Sequence, residues 1–119
     1  MGRAEDAIGA YKKLLAQNPI HRQALYNLGA AYQEAGQNAK ALAQYEKVLE
    51  LKPGDANAYF NMGMIYHKKE QHEKAVASYK KALKYNPKLK EAYNNIAAAY
   101  QELGDREEAR KWAERGDNF

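Results

Sequence analysis

The chain contains no cysteine, which removes disulfides and thiolate metal sites and sets no requirement for an oxidising compartment. No apolar run approaches the ~20 residues of a membrane span. The opening MGRAEDAIGAYKK puts acids and lysines where a signal peptide needs an apolar stretch. These absences lead to the expectation of a soluble cytoplasmic protein with no membrane partner. An excess of one charge is missing as well: 19 Lys and Arg are interspersed with 15 Asp and Glu, a formal charge of +4. Nucleic-acid binders concentrate basic residues in a stripe. The nearest approach here is Lys80, Lys81, Lys84, Lys88 and Lys90, which reads as a solvated outer face, so no nucleic acid is expected as a partner.

The chemistry-bearing residues are equally sparse. Ser78 is the only serine and has no evident base beside it in the sequence. His67 and His72 fall on either side of a turn rather than one helical turn apart on one face. His72-Glu73 begins like a zinc-protease motif, but the second histidine would have to stand at Val76. The glycines occupy turns and helix contacts, not a phosphate-cradling loop. No catalytic residue, metal site or cofactor is expected, and the protein is read as a non-enzyme.

What the chain does have is a period. Pro19, Pro53 and Pro87 are 34 residues apart, and so are Tyr32, Tyr66 and Tyr100, Ala41, Ala75 and Ala109, and Asn27, Asn61 and Asn95. Ten tyrosines against two phenylalanines and one tryptophan fall mostly in these columns, which makes them structural before anything else. Residues 56–89 hold one whole unit. Tyr59, Met62, Gly63 and Tyr66 lie at helical spacing on a first helix, and Ala75, Tyr79 and Ala82 on a second. Pro87 stops the second, since proline cannot donate to the helical ladder and disfavours helical geometry at Asn86. A fixed period of this size signals stacked helix pairs.

In that frame residues 1–21 are the second helix of an incomplete leading repeat, followed by repeats at 22–55, 56–89 and 90–119, as a single array. Helices are expected over residues 4–17, 21–35, 38–51, 90–103 and 106–115, besides the central pair. Residues 116–119 are expected to fray. Gly36 and Gly104 suit the left-handed cap conformation, and Glu70 stands in their column, so its turn should be strained. Asn38, Asp55 and Asp105 are the expected caps of the helices they precede. On the final helix Arg110 replaces the column of Ile8, Leu42 and Val76, and Asp117 that of Leu15, Leu49 and Leu83, as a polar terminal cap requires. The early start and polar end suit an engineered minimal module, whereas the divergence between repeats suits a natural array.

Leu28-Gly29, Tyr32, Ala41, Tyr45 and Pro53, echoed by Met62-Gly63, Tyr66, Ala75, Tyr79 and Pro87 at the 34-residue step, resemble the tetratricopeptide repeat family. The glycines are expected to let the paired helix approach Ala41 and Ala75, and Tyr32 and Tyr66 to fill the space between repeats. Departures are Leu25, Tyr59 and Tyr93 in a column that often holds tryptophan, and Ala97 in place of the third glycine.

The resemblance implies an all-α solenoid of about seven helices in antiparallel pairs, wound as a right-handed superhelix. It also implies a protein or peptide partner lying extended along a concave groove of first-type helices. Family geometry then puts Gln23, Tyr26, Asn27, Asn57, Phe60, Asn61, Met64, His67 and Asn95 on the groove. An asparagine amide offers one acceptor and one donor group to an extended backbone, and the column Asn27, Asn61 and Asn95 resembles the asparagine row in the repeat domain of O-GlcNAc transferase. The co-chaperone clamp for a terminal carboxylate is not expected. Its positions hold Tyr26, Ala30, Asn61, Glu91 and Asn95, with no cation. The alternative function is self-association into a homo-oligomer, because the unpaired first helix should expose Ala7, Tyr11 and Leu14.

Overall fold

The computed structural model describes residues 2–118 and contains seven α-helices. They are α1 (Arg3–Gln17), α2 (Arg22–Glu34), α3 (Asn38–Leu51), α4 (Ala56–Lys68), α5 (His72–Tyr85), α6 (Lys90–Glu102) and α7 (Arg106–Asp117). No strand occurs among the described residues. The chain forms two compact units, one ending at Pro53 and the other starting at Gly54. In the first, α1 packs on α2 and α2 on α3. In the second, α4, α5, α6 and α7 pack each on the next. This is the all-α, helix-pair architecture that the 34-residue step predicts.

The prolines end helices as expected: α1, α3 and α5 stop at Gln17, Leu51 and Tyr85, each two residues before a proline. The three hairpin turns share one hydrogen-bond pattern. The amides of Gln37, Gln71 and Asp105 donate to the carbonyls of Tyr32, Tyr66 and Tyr100, 2.8–2.9 Å away, closing the helix end through a residue in the left-handed region. That residue is Gly36 (φ 78°), Gly104 (φ 81°) and, in the middle turn, Glu70 (φ 60°). The strain expected at Glu70 is therefore present.

Asp55 and Asp105 cap α4 and α7, each accepting through Oδ1 from a backbone amide 3.1 Å away, of Ala58 and Glu108. Asn38 does not cap α3. The shared turn places Gln37 at the cap position, so Asn38 is the first helical residue and its Oδ1 is buried without a hydrogen-bond partner. His21 takes a capping role instead, its Nδ1 accepting from the Ala24 amide at 3.1 Å. The final helix also runs further than expected. It continues to Asp117, and Gly116 is buried, where an added Cβ would stand 3.0 Å from the Tyr93 Cβ.

The close approach within a hairpin is made to a ring. A Cβ on Gly29 would stand 2.9 Å from the Tyr45 ring, and one on Gly63 would stand 2.7 Å from the Tyr79 ring. The glycines thus make room for Tyr45 and Tyr79, both almost wholly buried, rather than for Ala41 and Ala75. In the second unit Ala75, Val76, Tyr79 and Leu83 of α5 meet Ala92, Tyr93, Ile96 and Ala99 of α6 in a continuous core, with Tyr66 and Trp112 packed at its edge.

Candidate functional site on the first-type helices

In the first unit the face of α2 carries Gln23, Tyr26 and Asn27. Gln23 Nε2 donates to Asn27 Oδ1 at 3.0 Å, one helical turn away. Tyr26 is half-buried and meets the Tyr45 ring edge-on, with centroids 5.6 Å apart. Below it the Tyr45 hydroxyl donates to Gln33 Oε1 at 2.9 Å.

The second unit repeats this arrangement and opens it. Phe60 tilts against Tyr79 at 5.5 Å, while Asn61 is half-buried and Asn57 exposed. Next to the Phe60–Tyr79 pair lies a cavity of about 370 Å³ lined by Met64, His67, Lys68, Tyr79 and Asn95. Met64 is 41% exposed, a large apolar side chain open to solvent. Burial pushes the Tyr79 phenol up from 10.0 to about 12, and a hydrogen bond with the Asn95 side chain opposes that rise. The phenol is therefore neutral at any physiological pH. Asn95, which holds it, still has amide capacity for a ligand.

Met64, His67 and Asn95 thus share one cavity with Phe60 at its side, whereas Asn57 does not line it. The missing member was Tyr79. Its tyrosine column was visible in the sequence, but the burial expected there concealed that Tyr79 lines the cavity. His67 and His72 do stand on either side of the α4–α5 turn, and they touch: their rings are 4.9 Å apart edge to face, and the Nδ1 atom of each is buried without a hydrogen-bond partner. Among the described residues no three His, Cys, Asp or Glu side chains gather as a metal site would require.

The basic residues and the first helix complete the survey. Lys81 lies over the Tyr59 ring at 5.6 Å and Lys84 over Tyr85 at 5.5 Å, while Lys80 donates to the Tyr100 hydroxyl at 3.0 Å. These lysines cover aromatic faces. On α1, Ala4 and Ile8 are buried, Ala7 and Tyr11 half-buried, and Leu14 39% exposed.

The sequence profile described as tetratricopeptide repeat matches residues 22–88 and 55–116. The chain belongs to the tetratricopeptide repeat family. Comparison with curated protein sequences gives no match. Among solved structures, one titled a crystal structure of MamA is similar at a TM-score of 0.94 and 29% identity, over 98% of this chain and 68% of that one. Another crystal structure of MamA protein gives 0.91 and 30%, over 97% and 63%. MamA 41-end from Desulfovibrio magneticus RS-1 gives 0.89 and 26%, over 97% and 65%. The chain therefore spans about two thirds of the length of these structures. A tetratricopeptide repeat fold is a protein–protein interaction scaffold. No helix among the described residues is long and apolar enough to cross a membrane.

Proposed function

We propose that this protein holds an extended segment of a partner protein along the face carrying Asn61 and Asn95, with Asn27 offering the same contact in the first unit. The observation that carries the proposal is the cavity of about 370 Å³ where Met64, His67 and Asn95 meet beside Phe60 and Tyr79. It joins an apolar seat for a side chain to the Asn95 amide, which is suited to a peptide backbone, while Asn61 does not line it. Each such amide contact contributes ~0.5–1.5 kcal/mol net, so with few repeats an affinity on the order of micromolar is expected. The role includes no catalysis, metal, cofactor, nucleic acid or membrane, and its setting is cytoplasmic. Residues 22–55, 56–89 and 90–119 act as successive repeats of one array.

The test is calorimetry of a captured partner segment against the parent chain and a Phe60→Ala, Asn61→Ala variant. Weaker binding with helicity unchanged supports the proposal, and equal affinity places the partner elsewhere. Self-association remains a second function, favoured by the exposure of Leu14 beside half-buried Tyr11 on α1. A Tyr11→Lys, Leu14→Lys variant that sediments identically to the parent ends that alternative.

A further inference from the structure

The last hairpin departs from the other two in its filling. In the 34-residue register, Gly29 and Gly63 correspond to Ala97, Tyr45 and Tyr79 to Ala113, and Tyr26 and Phe60 to Asn94. The first two hairpins each close around an aromatic pair, Tyr26 with Tyr45 and Phe60 with Tyr79, with centroids 5.6 and 5.5 Å apart. The third has neither ring. The aromatic residue of α7 stands one position earlier, at Trp112, where it packs on Tyr93 with centroids 6.0 Å apart and joins the edge of the α5–α6 core. A cavity of about 790 Å³ opens in place of the rings, between α6 and α7.

Its lining indicates what it would hold. Ala97 and Ala113 form the floor where a tyrosine ring lies against glycine in the other hairpins. Gln101 lines it too, in the register position of Gln33, which accepts the Tyr45 hydroxyl at 2.9 Å. Arg106 and Arg110 stand on the α7 side, and no carboxylate is among the lining residues. Arg110 does have an acid nearby, Glu114 at 3.6 Å, but both side chains are more than 60% exposed, and such a pair exchanges partners at little cost.

We propose that the α6–α7 slot receives a tyrosine side chain from a partner protein, its ring on Ala97 and Ala113, its hydroxyl on Gln101, and carboxylates flanking it in the partner's sequence on Arg106 and Arg110. Inside this chain the corresponding space of the first hairpin is filled by Tyr45 against Gly29. In the last hairpin it is left for a residue from outside, whose ring the Ala97 methyl holds further out, on its own surface. The slot continues the proposed peptide-binding face one repeat further, since Ala98 and Gln101 stand in the columns of Met64 and His67, and the inference rests on that reading; neither Asn61 nor Asn95 lines the slot itself.

The probe is the capped pentapeptide Glu-Asp-Tyr-Asp-Glu with its Phe and Ala counterparts at the centre, titrated into the full chain while the alanine methyl resonances are followed by NMR. Saturable shifts at Ala97, Ala98 and Ala113, all of which line the slot, are expected. The Tyr peptide should bind more tightly than the Phe peptide, and about tenfold or more above the Ala peptide, as burial of a ring implies. Gln101→Leu, at an exposed position, should erase the preference for Tyr over Phe. Refilling the slot from within, by Ala97→Gly with Ala113→Tyr, should abolish the shifts at Ala98. Equal binding of the three peptides, a Tyr preference that survives Gln101→Leu, or full binding by a folded refilled variant would each overturn the proposal. So would a parent mass by light scattering that falls to a single chain on refilling, since the slot would then hold a second copy. Asn61→Ala should leave peptide binding unchanged, and its loss in that variant would move the peptide to the asparagine face and overturn the slot.

Discussion

At Gly63 a single added methyl would stand 2.7 Å from the ring of Tyr79, a side chain only 1% exposed and so without room to retreat. Gly63→Ala is therefore expected to cost about 1–3 kcal/mol, as overpacking a close-packed interior does, read as a lower urea midpoint. Glu70 has the opposite problem. Its φ of 60° is held without glycine, and a side chain there costs roughly 1–2 kcal/mol. Glu70→Gly should stabilise the fold by about 1 kcal/mol, read as a higher urea midpoint and reduced somewhat by the greater freedom of glycine in the unfolded chain. Tyr79 adds a pH dependence. Because burial raises its folded pKa from 10.0 to about 12, the fold favours the protonated phenol. The resulting stabilisation is complete below pH 10 and is lost as pH rises through about 12. Phenolate absorbance should include a late-titrating component, and Tyr79→Phe should diminish it.

Among the elements, the helix caps show what the sequence discloses and what it conceals. Asp55→Ala should cost about 1 kcal/mol, because it leaves an amide of the first turn of α4 without its acceptor. Asn38→Ala should cost much less, since its Oδ1 accepts no hydrogen bond; thermal melts of the two variants give the comparison. Residue type alone favours Asn38 as a cap, whereas the register favours Gln37, in the column of Gln71 and Asp105. The period was the better guide because the hairpin turn, fixed by the amides donating to Tyr32, Tyr66 and Tyr100, determines where the next helix starts. The extent of α7 was hidden for a related reason. Its last turn is held by Gly116 against Tyr93 and Asn94, a contact between distant residues that no local propensity reports.

For the whole molecule, the fold was legible because a 34-residue period with alanine, glycine and tyrosine in fixed columns constrains every helix pair together. The candidate site was legible only in part. Helical phase places Met64, His67 and Asn95 on first-type helices, but the contribution of Tyr79 to their cavity depends on how α4, α5 and α6 pack together. The vacancy between α6 and α7 is written in the sequence as Ala97 and Ala113 against the glycine and tyrosine columns, and its volume appears only once both helices are in place. Contact between His67 and His72 arises in the same way, from a turn that brings two rings to 4.9 Å.

The most direct test of the scaffold role is the affinity of a captured partner segment for the parent chain and for Asn61→Ala, measured by calorimetry under identical conditions. Loss of one amide that grips a peptide backbone should weaken binding by about 2- to 10-fold while the chain stays helical. An unchanged affinity would contradict a partner held along this face.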